Sequence, residues 1–304
     1  MVPDLIFLCW VGVSAPALAL AEQPLIVGVL EDVEPGNLSP GMSVAHVRIA
    51  FKKQGAEWIA FRTDFNTLEA LADSVKYYPA TVSWTVVFNG KKVGAIESKN
   101  PGPLHGYGDV GTHTITTTTS LVPRTTIGAA DFSHFGNPAK SRSLVLVSAS
   151  NFKDPEGWKP TTLTTVEKAA AVKSFRTQFP SLEQCDKPEE QPIHMIPYRD
   201  DEVVLIRAYR SRSGEILFGQ KLDDKRSNCG FFDDDHFFDY WFVMDIGQRI
   251  RSLGSEMLPI DAADLDDDGH SEWIFQTARG EDEDGYALYY DDFTKKAYFH
   301  WTYH

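Results

Sequence analysis

The chain has 304 residues, of which 42% are hydrophobic and 12% aromatic, enough for a sizeable core in one large domain or two small ones. Lys and Arg number 29 and Asp and Glu 43, so the formal net charge is −14. Because phosphate groups are bound by clustered Lys and Arg, this charge argues against nucleic acid and anionic membrane surfaces as partners, and it leaves calcium, basic proteins and neutral sugars as ligand classes.

The N-terminal segment has the pattern of an export signal. Residues 5–21 are apolar, and the sequence ALA at 19–21 fits the small-x-small pattern of a signal-peptidase site. We therefore expect residues 1–21 to be removed and the remainder to be secreted or periplasmic. The segment before the apolar run has no Lys or Arg, and the alternative is an uncleaved anchor, for which a run of about 17 residues is short.

Short strands joined by polar turns are predicted for most of the remaining chain, because Val, Ile, Phe, Tyr and Trp crowd the apolar runs. Candidate strands lie in the apolar run at 24–32 and in the segments at 45–61, 81–98, 202–222, 240–250 and 272–303. Turn signals interrupt or join them at Gln54-Gly55, Asn89-Gly90, Ser213-Gly214 and Asp284-Gly285. Asn-Gly between two alternating runs is the strongest short signal for a β-hairpin.

One helix is predicted, over about residues 164–179. Thr164 and Glu167 have the spacing of a capping box, Phe175 lies on the apolar face, and Pro180 ends the segment. We expect this helix to cover one side of a sheet.

The fold class predicted from these elements is all-β, in a single domain over residues 22–304. Hairpins recur at a spacing of roughly 40 residues, which is the scale of one propeller blade. A propeller-like array of hairpins and meanders is therefore expected, with a continuous β-sandwich as the alternative. In a propeller, the strand-like segments near the two ends of the chain could pair within one blade. Residues 99–162 are expected to be mainly long loops.

Removal of the signal would leave two cysteines, Cys185 and Cys229. In an oxidising compartment such a pair predicts a disulfide, which would close a long loop and stabilise the fold by roughly 3–4 kcal/mol. The alternative is two buried free thiols.

Two other segments contain chemically suggestive residues but favour ordinary structural roles. FFDDDHFFD at 231–239 offers carboxylates and an imidazole, but adjacent side chains point in different directions, so a charged loop is expected. GYGDVG at 106–111 matches the glycine spacing of a dinucleotide-binding turn, but it lacks the preceding strand and the following helix.

The acidic segment DAADLDDDGHSEW at 261–273 carries the clearest functional signal. On a nine-residue grid, positions 1, 3, 5, 6, 7 and 9 are Asp264, Asp266, Asp268, Gly269, His270 and Glu272. Calcium takes six to eight oxygen ligands, which alternate carboxylates, one main-chain carbonyl and a closing acid can supply. An EF-hand is disfavoured because its twelfth position would be Phe275, where a bidentate Glu belongs.

The segment DLDDDGHSE resembles the calcium loop of FG-GAP/VCBS-type repeats, the integrin-α-like propeller family, whose usual text is D-x-D-G-D-G-x-x-D/E between two strands of a blade. The resemblance covers residues 258–290 only, and a single copy of the loop is found where the family has several. It departs from the pattern at Asp267, where the family has Gly. By resemblance, one Ca²⁺ is bound by the side chains of four acidic residues and by the carbonyl of His270. The four acids are Asp264, Asp266, Asp268 and Glu272.

Two functions follow as hypotheses. The favoured one is a secreted calcium-binding protein of the binding or structural type, in which calcium makes one loop rigid and the partner is an unidentified protein or carbohydrate. The alternative is a secreted hydrolase of polysaccharides with paired carboxylates as acid and base. No catalytic residue is assigned, and no membrane partner is expected once the signal has been removed.

Overall fold

The computed structural model describes residues 24–33, 44–65, 67–100, 106–132, 141–150, 152–184, 194–222, 239–278 and 283–302. Strands make up 49% of the chain, which confirms the all-β class. The α-helices in the described part are α1, Leu68–Ala72, and α2, Thr165–Gln178. None of the helices in these ranges is long and apolar enough to cross a membrane.

The N-terminal half forms a seven-stranded antiparallel sheet. Its strands are β1 Ile26–Val33, β2 Val44–Gln54, β3 Glu57–Ala60, β4 Thr81–Phe88, β5 Lys91–Lys99, β6 Thr112–Ile115 and β7 Leu144–Val147. Their order is β1-β7-β4-β5-β6-β2-β3. Because β1 also pairs with β2, the first six strands in this order form a closed ring of pairings, and β3 lies outside it beside β2.

The C-terminal half contains two larger sheets and one small one. The next strands are β8 Lys159–Pro160, β9 Leu182–Gln184, β10 His194–Ile196, β11 Val203–Arg210, β12 Ile216–Leu222, β13 Tyr240–Met244 and β14 Ile250–Ser255. Strands β14-β13-β12-β11-β8 form a five-stranded sheet, and β9 pairs with β10. The last strands, β15 Met257–Ala263, β16 Glu272–Ala278, β17 Glu283–Tyr290 and β18 Lys295–Thr302, form a four-stranded meander.

Three of the four predicted turns join hairpins. Asn89 and Gly90 both have positive φ, 49° and 62°, as a tight two-residue turn between β4 and β5 requires. Gly55, at 61°, turns β2 into β3, and Gly214, at 107°, lies between β11 and β12.

The fourth predicted turn, at Asp284-Gly285, is wrong. Both residues lie inside β17, where Gly285 pairs with Thr277 on one side and His300 on the other. A Cβ at residue 285 would come within 2.6 Å of the carbonyl oxygen of Phe299. The glycine therefore permits close packing of neighbouring chains and does not make a turn.

The sheets stack face to face because the strands of the four-stranded sheet alternate their side chains between two apolar environments. One face of the four-stranded sheet, with Ile274, Leu288 and Phe299, joins the core of the seven-stranded sheet. Its other face, with Trp273 and Phe275, packs against the five-stranded sheet. The four-stranded sheet is therefore the middle layer, between the seven-stranded and the five-stranded sheets.

Helix α2 covers the outer face of the five-stranded sheet, as predicted. Its N-cap Thr164 accepts a hydrogen bond from the backbone N–H of Glu167, whose carboxylate accepts one from the N–H of Thr164. Phe175 is fully buried against Phe218 and Phe242 of the sheet. The capping box and the apolar face together explain why the sequence prediction succeeded.

The suggested pairing of the two terminal strand segments is not observed among the described residues. β1 pairs with β2 and β7, whereas β18 pairs with β17. β1 instead contacts β17, the strand beside β18, because the Tyr286 hydroxyl of β17 donates a hydrogen bond to Glu31 of β1. Residues 1–21, Cys185, Cys229 and residues 231–238 lie outside the described ranges, so the signal peptide and the disulfide stay predictions.

Candidate metal centre

The acidic loop connects two neighbouring strands of the middle sheet, with β15 ending at Ala263 and β16 beginning at Glu272. Asp267 and Gly269 have φ values of 60° and 97°, so the chain passes twice through the left-handed region within three residues. Glycine, and to a lesser degree Asp, tolerates this region. Asp267 therefore adopts a left-handed backbone conformation, which is otherwise typical of glycine.

Backbone hydrogen bonds inside the loop fix the first acid. The N–H groups of Asp268 and Gly269 donate to the two carboxylate oxygens of Asp264, at 3.1 and 3.0 Å. The N–H of His270 donates to Asp268, at 2.8 Å. The loop is therefore wrapped around the side chain of its first residue.

Three of the predicted ligands converge. One carboxylate oxygen from each of Asp264, Asp266 and Asp268 lies within 4.8 Å of the other two. Burial raises the pKa of Asp264 above its usual value, and the nearby carboxylates of Asp268 and Asp266 raise it further against the two backbone hydrogen bonds. The geometry concentrates negative charge and so favours the binding of a cation.

Asp266 provides the test of whether these residues fit a metal. Its side chain is only 6% exposed, and one oxygen, Oδ2, pairs with the ammonium of Lys53. The other oxygen, Oδ1, is buried without a hydrogen-bond partner. An unsatisfied buried carboxylate oxygen is costly, and a hard cation on this side would satisfy it. The residues therefore fit a metal ion with oxygen ligands.

Glu272 lies outside this group of three. Its carboxylate accepts hydrogen bonds from the backbone N–H of Leu265, at 2.7 Å, and from the indole of Trp58, at 3.3 Å. Burial raises the pKa of Glu272 to about 8, with a further contribution from the negative charge of Asp266. The closing acid of the predicted set thus anchors the loop to the neighbouring sheet.

The ring of His270 points to a second acidic group. Its Nδ1 lies 3.3 Å from Asp292 and 3.7 Å from Glu156. Burial lowers the pKa of His270, but the carboxylates of Asp292, Asp268 and Glu156 outweigh burial and raise it above the usual value. The ring therefore interacts with these acids. The atom of His270 that the sequence predicts as a calcium ligand is a different one, the main-chain carbonyl oxygen.

Sequence reasoning missed the residues that surround the loop. Lys53 and Trp58 come from the β2–β3 hairpin, with Trp58 separated from Glu272 by 214 positions. Lys153 pairs with Asp267 at 2.9 Å, and its backbone forms an isolated bridge to Asp264. No local pattern around these three residues marks them as neighbours of the loop.

The glycine-rich segment at 106–111 has a structural role, in agreement with the sequence analysis. The carbonyl oxygens of Gly108 and Val110 accept hydrogen bonds from the guanidinium of Arg48, at 2.9 and 2.6 Å. Arg48 also forms a bidentate pair with Glu31, at 2.7 and 3.0 Å. The segment therefore wraps a buried arginine.

Comparison with known proteins adds no relative: no family model, no curated protein and no solved structure matches this chain.

Proposed function

We propose that this protein binds one Ca²⁺ in the loop at 264–272 and that the ion makes the loop rigid within a binding or structural protein. The observation that carries the proposal is the convergence of three carboxylates around Asp266, whose Oδ1 is buried and unpaired. The side chains of Asp264, Asp266, Asp268 and Glu272 and the carbonyl of His270 are the proposed ligands.

The setting of the loop supports the FG-GAP/VCBS-type resemblance as part of the proposal. The loop joins adjacent antiparallel strands of a four-stranded meander, the position that the family gives it in a blade. Strands β11 to β14 form a second meander of the same kind, which supports a propeller-like arrangement in this half of the chain. The proposal includes a secreted or periplasmic location. For calcium-binding modules outside the cell, the expected dissociation constant is about 10⁻⁴–10⁻³ M.

Calcium would supply positive charge and order, with no chemical step. Empty, the three carboxylates repel one another, and an ion that binds only the folded state adds RT ln(1 + [L]/Kd) to the free energy of unfolding. At 10 mM calcium and the weak affinities of such modules, this stabilisation is about 1.4–2.7 kcal/mol.

The test is the thermal midpoint of the full chain in EDTA and in 10 mM calcium, with calorimetric titration of the ion. We expect calcium to raise the midpoint and Asp264→Asn to abolish the shift. Asp267→Asn is the matched control, because Asp267 is exposed and lies outside the converging group. A wild-type midpoint that is the same in EDTA and calcium, with no heat of binding, contradicts the proposal.

Two surface pockets of the described residues do not support the alternative hydrolase. A surface pocket of about 470 Å³ is lined by α2 and Asp200, and another of about 570 Å³ by β1 and β4 and the ammonium-bearing Lys53. Neither is lined by two carboxylates, as acid–base cleavage of a glycosidic bond requires.

A further inference from the structure

The cation nearest to the converging carboxylates is part of the protein itself. Lys53, on β2 of the seven-stranded sheet, pairs with Asp266 of the loop, and the two side chains are only 18% and 6% exposed. The rings of Trp58 and Tyr290 lie 5.0 and 5.8 Å from the ammonium. The hairpin therefore holds this charge against the loop in a site largely screened from water.

The two oxygens of Asp266 have different surroundings. Oδ2 accepts the Lys53 ammonium, whereas Oδ1 is buried without a partner. A metal ion on Oδ1 would share one carboxylate with the ammonium. Two cations on one buried carboxylate repel each other, because charges interact strongly where water is excluded.

We propose that Lys53 is a built-in counter-cation of the calcium loop, which holds Asp266 in place when the loop is metal-free and lowers the loop's affinity for calcium. This inference rests on the proposed function, since it names what regulates that same site. Lys53 acts through Asp266 and is therefore a positioning residue.

The opposite effects of one residue make the inference testable. Without metal, Lys53 offsets part of the repulsion among the acids and stabilises the folded chain. With metal, the same positive charge opposes the ion. Removing the charge while keeping the length of the side chain should therefore weaken the metal-free protein and strengthen calcium binding.

The experiment uses Lys53→Met in the full chain, with calorimetric titration of calcium and thermal unfolding in EDTA. We expect the midpoint in EDTA to fall and the dissociation constant for calcium to decrease by about tenfold or more, given the strength of a buried charge pair. Lys53→Arg keeps the charge and should retain the wild-type affinity.

Lys153→Met is the matched control, because the Lys153–Asp267 pair has side chains 69% and 59% exposed. Solvent screens such a pair, so both readouts should stay at the wild-type values. If Lys53→Met does not fold, Lys53→Gln takes its place in the same two measurements.

The outcomes separate this inference from the function on which it rests. If the wild type binds calcium and Lys53→Met binds it with the same or a lower affinity, only the proposed role of Lys53 is overturned. If calorimetry detects no heat of calcium binding in either the wild type or Lys53→Met, the proposed function itself is overturned.

Discussion

At the scale of single residues, His113 shows how a buried imidazole with no nearby counter-charge in the described part of the chain makes the stability of the fold depend on pH. The residue is 1% exposed, its Nδ1 lies 3.2 Å from the hydroxyl of Ser98, and its Nε2 is buried without a hydrogen-bond partner. Burial lowers the pKa of His113 from 6.5 to about 4. Between these values the folded protein keeps the ring neutral while the unfolded chain binds a proton.

Because the unfolded state then binds more protons, the contribution of His113 to stability is fully present above pH 6.5 and is lost as the pH falls towards 4. We expect this residue to lower the free energy of unfolding by about 2–3 kcal/mol between pH 7.5 and pH 4.5. His113→Gln should remove that part of the pH dependence, measured by urea unfolding at the two pH values.

The comparison must be between variants, because Asp261 acts in the opposite direction. Burial raises the pKa of Asp261 to about 6, so its proton uptake stabilises the folded state as the pH falls through this range. His300→Gln is the control, since His300 is exposed and should leave the profile unchanged. An equal pH dependence in His113→Gln and the wild type would refute the assignment to His113.

At the scale of single elements, β17 depends on a glycine in its interior. A Cβ at Gly285 would lie 2.6 Å from the carbonyl oxygen of Phe299 and 2.8 Å from the hydroxyl of Thr277. We expect Gly285→Ala to lower the free energy of unfolding by about 1–3 kcal/mol, because the neighbouring strand must move to admit one methyl group.

Urea unfolding of Gly285→Ala beside Gly106→Ala measures this effect. A Cβ at Gly106 meets no atom within 4 Å, so this variant should stay within about 0.5 kcal/mol of the wild type. Equal stabilities of the two variants would count against close packing at β17.

At the scale of the whole molecule, one buried ion pair connects the ends of the described chain. Arg48 lies 3.8 Å above the ring of Trp301, and its partner Glu31 also accepts a hydrogen bond from Tyr286. Burial raises the pKa of Glu31, but the charges of Arg48 and His46 outweigh it and hold this pKa well below its usual range. The network therefore joins the seven-stranded sheet to the middle sheet.

Glu31→Gln leaves the buried guanidinium without its counter-charge, so we expect a loss of about 3–5 kcal/mol in the free energy of unfolding. Asp64→Asn removes one partner of an exposed pair, with Arg62, and should have no measurable effect. Denaturant unfolding of both variants is the measurement, and a Glu31→Gln protein as stable as the wild type would show that the network does not join the sheets.

Local backbone chemistry explains which predictions from sequence succeeded. Asn89-Gly90 makes its hairpin and Thr164 caps α2, because residues a few positions apart decide these structures. In the acidic loop, Gly269 and the alternating Asp residues likewise determine a turn that brings three carboxylates together. The same logic failed at Asp284-Gly285, because a glycine that avoids a clash with another strand looks like a turn residue in the sequence.

The amino-acid sequence by itself determined the all-β class, the covering helix and the acidic loop, because periodicity, capping and turn chemistry act over short stretches of chain. Only the tertiary structure decided that the loop's sheet is the middle layer, that Trp58 anchors Glu272 and that Lys53 faces Asp266. Those contacts join residues more than 200 positions apart, and they depend on how the sheets stack, which no local pattern encodes.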